Sequence, residues 1–148
     1  MILTRKAEDY LEAILNIVRE KKYARVRDVS SVLGVKPSSA IEMLRKLDGK
    51  GLLVYRKYDG IVLTPKGEKV AQVIKERHDV IRDFLELINV PKSIAEMDAC
   101  VMEHHLHPET VKQIGKMVNF IKSAPGYPEW LRHFEIFCET GRHVCRGK

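Results

Sequence analysis

Ala7, Tyr10, Leu11, Ile14, Leu15 and Val18 recur at spacings of three and four, which predicts a first helix with one apolar stripe. Lys21, Lys22 and Tyr23 break the pattern. In the next stretch, "VRDVSSVLGV", Val29, Val32 and Leu33 are expected to face inward, and Gly34 suits the left-handed residue that ends a helix. "KPSSAIEMLRKLDGKG" follows. Pro37 fits a first helical position, where its missing N–H costs nothing. Ile41, Leu44 and Leu47 form the expected buried stripe, and Gly49 or Gly51 stops it. Two short helices joined through a glycine turn, the second rich in Ser, Arg and Lys, read as a helix-turn-helix.

The period then changes. "LLVYRKYDGIVLT" places two β-prone runs around Asp59-Gly60, a strong hairpin signal. A hairpin directly after a recognition helix is a wing. Thr64-Pro65 caps and opens a long helix over about 66–88, with Val70, Val73, Ile74, Ile81, Phe84, Leu85 and Ile88 on one side. Helices over 94–106 and 108–123 come next, then a break at "APGYP" and a last helix over 129–139. The expected fold is therefore mostly α with a small β-hairpin wing. A winged helix-turn-helix DNA-binding domain is expected over residues 1–65, followed by a helical domain over residues 66–148.

Charge sharpens that picture. Residues 1–64 carry 13 Lys/Arg against 8 Asp/Glu, a net +5, whereas residues 65–148 carry 13 against 12. A basic N-terminal half is the footprint of a phosphate-backbone binder. On the helix of residues 37–49, Ser38, Ser39, Glu42, Arg45 and Lys46 lie opposite the apolar stripe, with Lys36 just before it. Ser38 and Ser39 stand near the N-terminus, where phosphates or base edges approach. Arg45, Lys46 and the wing's Arg56 and Lys57 are the expected phosphate contacts. No run approaches the roughly 18 apolar residues of a membrane span, and no secretory signal opens the chain, so the cytoplasm is expected. Three widely separated cysteines do not form a disulfide scaffold.

Cys100–Glu109, "CVMEHHLHPE", is unusually rich in metal-binding groups. On a helix, Cys100, Glu103 and His104 share a face while Met102 and His105 point elsewhere. That trio suits Fe²⁺, Mn²⁺, Co²⁺ or Zn²⁺; a solvated polar face beside an inert cysteine is the alternative. Asp9 and Glu12, spaced i, i+3 on the first helix, read equally as a solvent face, and His78 at the edge of the long helix's stripe reads as an ordinary histidine.

"AEDYLEAI", "KPSSAIEMLRKLDGKGLLVYRKYDGIVLTPKG", "ERHDVIRDFLELI" and "CVMEHHL" occur in an order and at separations that resemble the metal-dependent repressors of the diphtheria-toxin-repressor and manganese-transport-regulator family. The resemblance covers about residues 4–123. It implies a homodimeric repressor that binds double-stranded operator DNA when loaded with Mn²⁺ or Fe²⁺, with Co²⁺ or Zn²⁺ as substitutes. It also implies one metal site built from Asp9, Glu12, His78, Cys100, Glu103 and His104. The branches of the family disagree here: Asp9 is manganese-like and Cys100 iron-like. The iron branch's ancillary site has a Glu four residues after its histidine, a place held here by Arg82, so no ancillary site of that pattern is expected. Without an SH3-like domain, the chain resembles the shorter members.

Three other classes stay open on the residues alone. A metalloenzyme could use Glu103 as a base, but no substrate motif accompanies it, and no enzymatic activity is expected. A thiol-redox regulator could use Cys100, Cys138 and Cys145, and a winged-helix regulator could ignore metal altogether. The tail's Cys138, His143 and Cys145 lack the spacing typical of a zinc motif.

Overall fold

The structure is a computed structural model that describes residues 2–144. Its elements run α1 (Arg5–Lys21), α2 (Val26–Leu33), α3 (Pro37–Gly49), β1 (Leu53–Arg56), β2 (Gly60–Leu63), α4 (Pro65–Leu87), α5 (Lys92–Met102), α6 (Pro108–Lys122) and α7 (Glu129–Thr140). Two compact units meet in sequence between Glu76 and Arg77, inside α4. No described helix is long and apolar enough to cross a membrane.

In the first unit, the Ala7 N–H donates to Thr4 Oγ1 at 3.2 Å and fixes the start of α1. The apolar stripe of α1 buries Tyr10, Leu11, Ile14 and Leu15 against Leu44 and Leu47 of α3, Leu52, Leu53 and Ile61 of the hairpin region, and Ala71 and Ile74 of α4. Gly34 ends α2 in the left-handed region, at φ 62°. Val32 does not face inward; it is 64% exposed. At about 100° per residue, Val26, Val29, Ser30 and Leu33 define an arc that leaves Val32 outside. Val73 on α4 is 57% exposed for the same reason, because Val70, Ala71 and Ile74 set that helix's inner arc.

The wing pairs β1 with β2 antiparallel, Leu53 opposite Leu63 and Arg56 opposite Gly60. A third segment holds it: Ala24 and Ile61 exchange backbone hydrogen bonds of 3.0 and 2.8 Å. The start of α4 is fixed by Thr64, whose Oγ1 accepts from the Gly67 N–H at 3.0 Å. A Cβ on Gly67 would lie 1.6 Å from the Leu52 carbonyl oxygen, so only glycine lets α4 approach the hairpin this closely.

The second unit packs the C-terminal half of α4 with α5 and α6 around Ile81, Leu85, Ala95, Ala99 and Val111. Ile88, expected on the apolar side of α4, follows the end of the helix and is 40% exposed. α5 stops at Met102, short of the expected 106. His107 precedes Pro108 and is extended (φ −66°, ψ 147°), because proline disfavours the helical region for the residue before it. The chain turns after Met102, and the His105 and Leu106 N–H groups both turn back to the Met102 carbonyl at 3.0 Å.

Candidate metal centre and nucleic-acid interface

α4 and α5 bring four chemistry-bearing side chains together in the second unit. His78 Nδ1 lies 3.7 Å from Cys100 Sγ and 3.6 Å from Glu103 Oε2. His104 Nε2 lies 3.2 Å from Glu103 Oε1. Cys100 and Glu103 thus each approach His78, and Glu103 approaches His104, but the three expected groups do not share one helical face. Cys100 is helical, Glu103 is the C-cap of α5, and His104 belongs to the turn after it.

Glu103 decides what this cluster can do. It is 1% exposed, and neither carboxylate oxygen has a hydrogen-bond partner among the described residues. Both imidazoles are within ion-pair reach, but His78 Nδ1 is too far and His104 Nε2 is misaligned for a hydrogen bond. Buried polar groups are normally satisfied, and a buried carboxylate without donors is costly. Two imidazole nitrogens beside such a carboxylate, with a thiol 3.7 Å from one of them, are donor types that suit a divalent transition metal. Asp9 and Glu12 stand on α1 in the first unit, both half-buried.

Glu96 went unread in the sequence, and Arg82 was read only as the residue that breaks the ancillary-site pattern. Glu96 Oε1 lies 2.8 Å from His78 Nε2. Arg82 reaches Asp79 and Asp83 at 2.9 Å each. The available signal was spacing: Glu96 is one turn before Cys100, and Arg82 one turn after His78.

On the first unit, Lys36 is the exposed N-cap residue of α3; Ser38 is exposed and Ser39 half-buried. Glu42 and Lys46 pair with each other at 2.9 Å, and the Lys46 hydrogen bond holds the Glu42 carboxyl below its usual range. Arg45 and the wing's Lys57 line one groove of about 500 Å³, so helix and wing present cations to a common space. Arg56 and Lys57 also line a cleft of about 380 Å³ with Arg25 and Arg27, which the sequence reading missed. Their signal was the basic excess of the N-terminal half.

In the tail, Cys138 is exposed near the end of α7, and the His143 ring lies 4.7 Å from the Phe137 ring, between centroids. Cys145 falls outside the described residues.

Comparison with known families covers most of the chain. Residues 2–61 match the iron dependent repressor N-terminal DNA binding domain, and residues 64–131 match the iron dependent repressor metal binding and dimerisation domain. An HTH-type transcriptional regulator MntR of Geobacillus thermodenitrificans is 41% identical over 138 residues, 93% of this chain and 98% of that protein. The chain belongs to the iron-dependent-repressor family. A MntR of Listeria welshimeri is 39% identical over 132 residues, 89% of this repressor and 93% of that one. Among solved structures, the T. acidophilum IdeR superposes with a TM-score of 0.71 at 25% identity over 86% of the repressor and 60% of that chain. The manganese regulator SloR superposes at 0.68 and 26% identity over 80% and 55%.

The repressor is accordingly a metal-dependent, DNA-binding transcriptional regulator. Its partners are operator DNA and a second copy of itself, and its cofactor is a divalent metal. Family membership supports this reading over a thiol-redox or metal-blind winged-helix regulator. The relatives are transcriptional regulators, a non-enzymatic role.

Proposed function

We propose that this repressor reports cellular Mn²⁺ or Fe²⁺ to an operator, with no enzymatic activity, in the cytoplasm. The observation that carries the reading is Glu103, buried and without hydrogen-bond donors beside His78 and His104. The proposed ligand set is His78, Cys100, Glu103 and His104, with Asp9 and Glu12 added from the sequence alone. Hard carboxylates suit Mn²⁺ and a thiolate suits Fe²⁺, so both metals are accepted, with Co²⁺ or Zn²⁺ as substitutes.

In the proposed division of labour, residues 1–65 read DNA and residues 66–148 bind metal and dimerise. Lys36, Ser38, Ser39, Glu42, Arg45 and Lys46 address the duplex from α3, and Arg56 and Lys57 address it from the wing. The repressor dimer places two recognition helices in half-sites about one DNA turn, or roughly 34 Å, apart. For the dimer face, α5 exposes Ile94, Met97 and Val101 at i, i+3, i+7, and α6 exposes Met117 and Phe120 at i, i+3.

Metal that binds the DNA-competent form better than the other couples the two equilibria. A coupling of about 1–3 kcal/mol strengthens operator binding roughly 5–150-fold. The test is an anaerobic titration of an operator duplex, selected from random-sequence DNA in Mn²⁺, with and without Mn²⁺ or Fe²⁺. Equal affinity in chelator and in both metals would refute the proposal.

A further inference from the structure

We propose that Glu96 and Arg82 form a positioning relay that presents His78 Nδ1 to the metal. The inference rests on the metal reading above. It starts from His78, which is 3% exposed and whose two ring nitrogens face different groups. Nε2 is 2.8 Å from Glu96 Oε1. Nδ1 faces Glu103 Oε2 at 3.6 Å and Cys100 Sγ at 3.7 Å.

A carboxylate can only accept a hydrogen bond, and a neutral imidazole carries one proton. At 2.8 Å, Glu96 therefore holds that proton on Nε2. Nδ1 is left with its lone pair directed at the thiol and the carboxylate. A ligating histidine whose other N–H is held by a carboxylate is fixed in tautomer and ring orientation and made more basic.

Glu96 needs support to do this, because its side chain is 53% exposed, and an exposed glutamate has several rotamers to choose from. Arg82 supplies it. The guanidinium Nη1 lies 3.9 Å from Glu96 Oε2 while it donates to Asp79 at 2.9 Å, and Nη2 donates to Asp83 at 2.9 Å. Asp83 is in turn held by Lys122. The periodicity of the helices lays this out: Arg82 follows His78 by one turn of α4, and Glu96 precedes Cys100 by one turn of α5. A rung of ion pairs thus runs beside the rung of candidate ligands, and nothing in it needs to touch the metal.

The test uses the full chain labelled with ¹⁵N-histidine, metal-free, at about pH 8, where an ordinary histidine is neutral. Long-range ¹H–¹⁵N correlations read each imidazole's tautomer, and Mn²⁺ titration then reads affinity and which imidazoles broaden. In the wild type, His78 is expected as the Nε2–H form and should broaden with Mn²⁺. Glu96→Ala should mix the tautomers of His78 and weaken Mn²⁺ binding by about 10–100-fold. Arg82→Ala should do the same to a smaller degree. Glu96 is half-exposed, so the variant folds. An unchanged His78 tautomer in Glu96→Ala overturns the relay, whatever happens to affinity. So does an affinity equal to that of the wild type. If wild-type His78 ignores Mn²⁺ altogether, the metal reading fails first, and the relay's role with it.

Discussion

Glu103→Gln should make the metal-free repressor more stable and the metal-loaded one less so. The wild type buries a carboxylate with no hydrogen-bond donor among the described residues. Such a group costs about 1–3 kcal/mol, and more if charged. Glutamine keeps the shape and removes the charge. For a chain of this length, each kcal/mol moves the melting temperature by about 2–4 °C, so in chelator the variant should melt about 2–12 °C above the wild type. Metal reverses the order. At free Mn²⁺ about 1,000 times Kd, binding adds ~4.1 kcal/mol to the wild type, or about 8–16 °C. The variant, with a neutral amide in place of the anionic ligand, should gain little. Calorimetry at one fixed protein concentration reads both numbers, since a dimer's stability depends on concentration. If Glu103→Gln melts below the wild type in chelator, the carboxylate is satisfied by contacts of its own. If Mn²⁺ raises both melting temperatures equally, Glu103 is not a ligand.

Four further outcomes are expected. Arg45→Ala, or Arg56→Ala with Lys57→Ala, should weaken binding to every duplex and flatten its salt dependence by about 0.9 for each phosphate no longer neutralised; an unchanged slope in both would remove these residues from the interface. Cys100→Glu should shift metal preference toward Mn²⁺ and Asp9→Met toward Fe²⁺, measured as metal-dependent operator binding under anaerobic conditions. Gly67→Ala should cost at least the ~1–3 kcal/mol of an overpacked core in urea unfolding, because the new methyl meets the Leu52 carbonyl; near-native stability would mean that α4 shifts freely. Burial pushes the Asp83 carboxyl up, but hydrogen bonds from Lys122 and Arg82 overcome this and hold it below its usual range. A depressed folded value means stability that is present at neutral pH and lost as pH falls. The difference between wild type and Asp83→Asn should therefore be constant from about pH 7 to about pH 5 and shrink below about pH 4.

The helix-turn-helix and wing were legible because local signals agree there. Pro37 opens α3, Gly34 ends α2 in a left-handed turn, and Asp59-Gly60 closes the hairpin, each through its own backbone chemistry. Inner faces were read less well. Val32 and Val73 are apolar and in phase with a buried neighbour, yet Ser30 and Ala71 shift each inner arc away from them. Periodicity weighs hydrophobicity and misses a small or polar residue that packs well. For the metal centre, the residue types were visible but the geometry was not. A continuous helix through His104 was the natural extrapolation from Cys100. The chain instead turns after Met102, well before the extended His107 that precedes Pro108. Glu96 was missed, and so were the partners of Arg82, because a lone exposed-looking acid or base carries no mark of what it pairs with. Only tertiary packing puts Glu96 on His78.

The early end of α5 has a meaning of its own. A helix gathers partial negative charge at its C-terminus, which Lys, Arg or His side chains commonly offset. The last turn of α5 has no basic residue, and the C-cap position is Glu103, an acidic side chain at the end of the dipole that favours cations. No side chain in that last turn offsets the dipole. In the proposed role, the ion does so, as a cap drawn from solution and not from the chain. The free metal concentration then sets how often the terminus is whole, and metal sensing becomes the last step in folding one helix.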